Sequence, residues 1–186
     1  MKHRIITIAG ALGSGKSSTA KRIASELGYS HFSSGDLFRA IAKERGLSIE
    51  EINKQAELEQ EIDHAVDERL RAMANETDFV IDSRMAYHWM PESFKVYLAL
   101  DPHTAANRIY NHIKKEGRVS QDAESVEHVF ETTAARQASE KKRYMTLYGV
   151  DVEDLSPFDL VVDTAPNTLE QVVRIVAEKY KEWIRK

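Results

Sequence analysis

Four short apolar runs, at residues 5–9, 79–81, 96–100 and 160–162, punctuate a chain whose intervening segments carry helical periodicity. Compact apolar runs separated by helix-length amphipathic stretches predict strands buried on both faces, hence a mostly parallel sheet with crossover helices. Residues 29–32 form a weaker fifth candidate. A helix is expected from Lys16 to about Leu27, with Ala20, Ile23, Ala24 and Leu27 on one face and Gly28 as its stop. From residue 35 to 75 the pattern is helical throughout, with a capping box at Ser48-Ile49-Glu50-Glu51 and an apolar stripe of Ile62, Val66, Leu70 and Met73. A second helical stretch runs from residue 103 to 148 and breaks at Glu116-Gly117-Arg118. Its length and polarity predict a hairpin standing away from the sheet. Asn167-Thr168-Leu169-Glu170 opens a last helix whose Val172, Val173, Val176, Tyr180 and Trp183 can pack back on the core.

The polar segment joining the first run to the first helix changes the picture from architecture to chemistry. Gly10-Ala11-Leu12-Gly13-Ser14-Gly15-Lys16-Ser17 fits the phosphate-loop pattern G-x-x-x-x-G-K-[ST], and it begins where a buried strand ends. A strand that empties into a glycine-rich turn and then a helix aims backbone N–H groups and the positive helix end at one point, where a di- or triphosphate can sit. Gly10, Leu12, Gly13, Ser14, Gly15, Lys16, Ser17 and Ser18 are therefore expected to bind a nucleoside triphosphate, with Lys16 on the β- and γ-phosphates and the Ser17 hydroxyl on Mg²⁺. A plain glycine turn opening an ordinary helix leaves the lysine unexplained.

Length and composition bound the rest. The chain has 186 residues, enough for one well-buried domain, so residues 1–186 are read as a single unit. Charged residues make 30% and hydrophobic ones 42%, the balance of a soluble globular protein. With 26 Lys and Arg against 30 Asp and Glu the net charge is −4, which removes the electrostatic footprint of a general nucleic-acid binder. There is no cysteine, in keeping with a reducing cytoplasm and excluding a thiolate metal site. Lys2, His3 and Arg4 ahead of an apolar run imitate a secretory signal, but the loop around Lys16 interrupts it. No stretch approaches the eighteen or so apolar residues of a membrane span. We expect a cytoplasmic monomer with small-molecule partners and neither a nucleic-acid nor a membrane partner. The seven histidines lack metal-ligand spacing and read as surface or satisfied core groups.

Asp82 ends the run Phe79-Val80-Ile81-Asp82, at the strand edge where ligands gather in parallel sheets. It can hold Mg²⁺ directly or through water, or it can cap the next helix. Arg84, two residues on, favours a polyanion site. Arg136, Glu140 and Arg143 fall at i, i+4 and i+7 of a helix, so they share a face. Such a set can grip a phosphate, and it can equally be a solvated charged face. Arg39 follows Ser34-Gly35-Asp36 on its own helix. A guanine-reading N-K-x-D element is missing from the late strands, since Asn53-Lys54-Gln55-Ala56 lies in a helix, which argues against a GTPase switch.

Taken together these elements resemble a known family. Ser34-Gly35-Asp36-Leu37-Phe38-Arg39 is similar to the S/T-G-D-x-x-R element of nucleoside monophosphate kinases, and Ile81-Asp82-Ser83-Arg84 to their D/E-G-R element. Arg136-x-x-x-Glu140-x-x-Arg143 matches the R-x-x-x-[DE]-x-x-R spacing of cytidylate kinases, and Tyr148-Gly149-Val150-Asp151 with 158–164 resembles their short, archaeal-type branch. The resemblance implies an α/β phosphate-loop NTPase fold: a five-stranded parallel sheet flanked by helices, a helical acceptor-binding insertion at about 34–77 and a helical lid at about 103–148. It implies phosphoryl transfer from ATP, with Mg²⁺, to CMP or dCMP. Ser34, Gly35, Asp36, Arg39, Arg84, Arg136, Glu140 and Arg143 would hold the acceptor; Lys16, Arg108, Arg118 and Arg143 would be catalytic; Ser17 and Asp82 would hold the metal. Ser83 replaces the family's glycine, and the lid is longer than the short form. AMP, UMP, shikimate or dephospho-coenzyme A as acceptor, or a non-catalytic ATP sensor, are the alternatives.

Overall fold

The computed structural model describes residues 4–115 and 125–185. Five strands, β1 (Ile5–Gly10), β2 (Ser30–Ser33), β3 (Phe79–Asp82), β4 (Phe94–Ala99) and β5 (Leu160–Asp163), form one sheet in the order β2-β3-β1-β4-β5. Every pairing is parallel. The apolar runs are thus the strands, the weak fifth included. β4 begins two residues ahead of its apolar run, at Phe94, because Lys95 takes its ladder position with its side chain turned out to the Pro91 carbonyl.

Period-2 alternation divides the sheet residues between two cores. Ile6, Ile8 and Val80 face α1 (Lys16–Leu27) and α8 (Leu169–Ile184), meeting Ala20, Ile23, Val173, Val176 and Tyr180. Ile5 and Ile81 face the other way, onto Leu70 and Met73 of α4 (Gln60–Met73) and onto Ala86 of the short α5 (Ala86–Trp89). Burying those side chains is worth roughly 1.5–3 kcal/mol each, which fixes α4 against the sheet. The 35–75 stretch resolves into α2 (Ser34–Glu44), α3 (Ile49–Ala56) and α4, with its own small core of Ala42, Ile52, Ala56 and Ile62. Ser48 and Glu51 form the expected capping box at the start of α3, and Thr168 with Gln171 forms another at the start of α8.

The remaining helices are α6 (Pro102–Lys115) and α7 (Val126–Tyr148). This pair does not stand away from the sheet. Ala105 and Ala106 are buried, a Cβ built on Gly13 would lie 3.0 Å from the Ala105 carbonyl, and Glu140 and Arg143 of α7 are 3% and 5% exposed. The face that looked solvated carries buried charge, and buried charge needs partners, so α7 packs onto the groups that supply them. His103 and Phe130 stack with ring centroids 4.5 Å apart, joining α6 to α7.

A candidate nucleotide and phosphate site

The glycine-rich loop hangs between β1 and α1 because two approaches leave no room for side chains. Gly10 adopts φ 141°, and a Cβ there would sit 2.2 Å from the Leu98 carbonyl oxygen of β4. Gly13, at φ 72°, meets α6 at Ala105. Ser14 is buried and donates to the Ala11 carbonyl at 2.8 Å, so it braces the turn. Gly10 and Ser14 therefore shape the loop, while Leu12, Gly13, Gly15, Lys16, Ser17 and Ser18 line a cleft of about 240 Å³. Lys16 Nζ donates to the carbonyls of Gly10 at 2.9 Å and Ala11 at 2.6 Å. Burial and the nearby Arg84 guanidinium push its ammonium down to about 7.

Asp82 lies at the floor of this cleft. Its Oδ2 accepts from Ser17 Oγ at 2.6 Å and from Ser33 Oγ at 3.1 Å, and its Oδ1 is 2.7 Å from His31 Nε2. The sheet register explains the gathering. Ser33 pairs with Asp82 and His31 with Val80, so all three polar side chains share the face covered by α1, whose first turn carries Ser17. Asp82 does not cap the following helix. Ser83 Oγ instead accepts from Met85 N at 3.2 Å and braces the turn ahead of that helix, and a hydroxyl-bearing residue fits a turn that needs no positive φ.

The arginines arrive from three elements. Arg84 and Arg136 line the cleft with Arg39, Ser34 and Gly35. Glu140, 4% exposed in its side chain, takes Arg136 Nε on Oε1 at 3.0 Å. Arg84 Nη1 lies 2.8 Å from Oε2 without hydrogen-bond alignment, so that contact is ionic. Lys16, Arg39, Arg84 and Arg136 outnumber Asp82 and Glu140, leaving a cationic cleft. Arg39 pairs with Asp36 at the rim, both half exposed, and Ser34 Oγ donates to the Asp82 carbonyl at 3.4 Å. Asp36 is therefore occupied with its own helix, its backbone N–H donating to Ser33 Oγ.

Two expected site residues lie elsewhere. Arg143 is buried, donating to Asp63 Oδ2 from Nε at 2.8 Å and to Ser139 Oγ from Nη1 at 3.0 Å, and it does not line the cleft. Arg108 is not gathered at the loop: its guanidinium donates to the Thr164 carbonyl at 2.6 Å and to Ala165 O at 3.4 Å, bridging α6 to the turn after β5. Arg118 lies outside the described residues. Beyond the cleft, sharing Leu12 and Arg136 with it, a second cavity of about 450 Å³ opens between α3 and α7, with Asn53, Thr132 and Ser139 on its walls. His31, Asp63 and Ser139 were missed from sequence. Only His31 carried a readable signal, since His31 and Ser33 alternate along one strand.

Fold and cleft together define a phosphate-loop protein of the small-kinase architecture. Solved structures agree at the level of fold: a gluconokinase from Sinorhizobium meliloti superposes with TM-score 0.60 at 15% identity, covering 98% of this chain and 95% of its own. Shikimate kinase from Aquifex aeolicus does so with TM-score 0.57 at 17% identity, covering 95% and 96%. A family model described as an AAA domain matches residues 9–127. The sequence narrows this class. A cytidylate kinase from Pyrococcus abyssi is 40% identical over 174 residues, 92% of this chain and 91% of that protein, and one from Thermoplasma volcanium is 37% identical over 97% and 93%. The chain belongs to the cytidylate kinase family.

Proposed function

We propose that the protein transfers the γ-phosphoryl group of ATP to CMP or dCMP, giving ADP and the nucleoside diphosphate. The observation that carries this reading is the convergence of Lys16, Arg84 and Arg136 on one cleft floored by the Ser17–Asp82 pair, beside a larger cavity with room for a nucleoside. A hydrolase has no use for a second anionic subsite with a nucleoside-sized annex.

In this reading Lys16 leaves the Gly10 and Ala11 carbonyls for the phosphate oxygens, and the loop N–H groups hold the β-phosphate. Phosphoryl transfer passes through a loose in-line transition state, so positioned positive charge supplies most of the catalysis. Arg84, Arg136 and Arg39 hold the acceptor's phosphate in line, while Glu140 keeps the first two from turning to solvent. The acceptor's nucleoside extends into the α3–α7 cavity. Ser17 and Asp82 offer hard oxygen donors 2.6 Å apart at the cleft floor, a set suited to Mg²⁺ that keeps water and phosphate as its other ligands. Mg²⁺ bound there would neutralise charge on the β- and γ-phosphates. Helices α2–α4 act as the acceptor-binding insertion and α6–α7 as the lid. The enzyme works as a cytoplasmic monomer on small molecules, without nucleic-acid or membrane partners; the net charge of −4 supports the exclusion of nucleic acid.

The test is a panel of acceptors, CMP, dCMP, UMP, AMP, shikimate and dephospho-coenzyme A, each with Mg·ATP, followed by coupled detection of ADP. Preferential turnover of CMP or dCMP is expected. Equal ATP consumption with and without any acceptor would remove the kinase reading.

A further inference from the structure

We propose that His31 is a positioning residue for the Ser17–Asp82 pair, fixing the rotation of the Asp82 carboxylate so that Oδ2 faces Ser17. The inference rests on the reading of that pair as the site for a divalent cation. It begins with a torsion. The terminal torsion of an aspartate is broad and roughly two-fold, so nothing intrinsic keeps one oxygen toward α1. Donors on one oxygen alone would pull the group without stopping its rotation.

Here the donors are split. Ser17 and Ser33 occupy Oδ2, and His31 alone among the described side-chain contacts occupies Oδ1, at 2.7 Å. The bond needs only an N–H on Nε2, which a neutral imidazole with its proton on that nitrogen supplies. Asp82 is 5% exposed and the His31 side chain 17%, so water does little of this work. Position adds a second argument. β2 is the edge strand, Phe32 turns to the opposite face with Ile81, and an aliphatic residue at 31 would fill the α1 side as Val80 does on the neighbouring strand. A histidine there puts a directed donor where packing asks only for volume.

The consequence concerns metal rather than acceptor. Mg²⁺ demands near-ideal octahedral geometry, and an outer hydrogen bond that orients a ligating carboxylate is worth about 10–100-fold in metal affinity. His31 lies below the cleft and does not line either cavity, so the acceptor should not sense its loss.

The experiment uses the full chain with ADP present and Mn²⁺ as probe, free Mn²⁺ being counted by electron paramagnetic resonance. His31→Leu should weaken Mn²⁺ binding by about 10–100-fold and raise the Mg²⁺ needed for half-maximal CMP turnover in proportion, with KM for CMP unchanged. His31→Gln, whose amide nitrogen reaches the place of the imidazole Nε2, should restore binding to near wild type. His31→Asn is polar but too short, and should behave like His31→Leu; it also serves if the leucine variant folds poorly. Unchanged Mn²⁺ binding in the leucine and asparagine variants, or a loss that glutamine does not repair, assigns His31 to strand packing and overturns the proposal. Wild-type turnover of CMP that needs no divalent cation would instead overturn the reading of Ser17 and Asp82 on which it rests.

Discussion

Lys16 sits among carbonyl acceptors and beside Arg84, and burial holds its ammonium down to about 7, well below its ordinary 10.5. A polyphosphate in the cleft favours the charged form and must raise that value. The sign follows directly: at pH 8 the free group is mostly neutral, so binding ATP takes up protons, approaching about one per site. Calorimetry in two buffers of different ionisation enthalpy measures it, and Lys16→Met should abolish the uptake. Zero uptake in the wild type would mean that the lysine is already charged in the free protein. Arg136 and Arg143 separate at the same scale, although their spacing made them equivalent in sequence. Arg136 faces the cleft, so Arg136→Ala should cost about 2–4 kcal/mol of transition-state binding, read in kcat/KM for CMP, and, because it takes the donor from buried Glu140 Oε1, a further loss of about 1–3 kcal/mol in stability. Arg143→Ala strands Asp63 at 6% side-chain exposure and should lose about 3–5 kcal/mol of stability, read by denaturant unfolding without nucleotide. Lys16, Ser17, Asp82 and Glu140 were legible because loop motif, strand end and helix spacing each fix a place. Asp63 was not, because its partner lies on a different helix far along the chain and no local pattern encodes that pairing.

At the scale of elements, strand identity and helix limits followed from periodicity, whereas docking depended on polar ties with no period. Asp67 of α4 is one such tie, accepting from Trp89 Nε1 of α5 at 3.0 Å and from the Tyr148 hydroxyl of α7. With the Asp63–Arg143 pair it anchors the C-terminal half of α7 to α4. Its sequence signature is two aspartates inside an amphipathic helix, a pattern that names no partner, so the length and polarity of residues 103–148 alone pointed to a hairpin standing clear. Tyr148→Phe leaves a buried carboxylate oxygen short of a donor and should cost about 1–3 kcal/mol, visible as a lower denaturation midpoint with unchanged m. If stability did not move, the anchor would be apolar packing among Tyr144, Tyr148 and Trp89 instead. The β1–β4 contact offers a harder constraint. Gly10→Ala drives a Cβ against the Leu98 carbonyl, and backbone cannot yield as a side chain does, so a loss of about 3 kcal/mol is expected together with weaker ATP binding. Stability lost with ATP affinity intact would mean that the loop adjusts independently of the strand.

Across the whole molecule, those anchors restrict how the cleft can shut. A kinase must exclude water from the transferring phosphoryl group, or ATP is lost to hydrolysis, so with the acceptor placed as proposed the cavity between α3 and α7 would have to contract around it. The C-terminal half of α7 is tied to α4, and α4 is packed on the sheet through Leu70 and Met73. That half cannot travel far without breaking buried ion pairs. Movement therefore falls to the parts without buried ion pairs: α3, held mainly by the small core of Ile52, Ala56 and Ile62, and α6 with the N-terminal half of α7, joined by the His103–Phe130 stack and held to the turn after β5 by the Arg108 hydrogen bonds to Thr164, which would have to bend or exchange. Hydrogen exchange should register this division. Adding CMP with a non-hydrolysable ATP analogue should slow exchange in α3, in α6 and at residues 126–136, leaving 140–148 and β1 nearly as in the free protein. Either nucleotide alone should give a partial effect, because closure needs contacts from both sides of the cavity. Protection spread evenly over α7 would show that the whole helix swings as one piece, and the Asp63 and Asp67 contacts would then have to break and reform in each turnover.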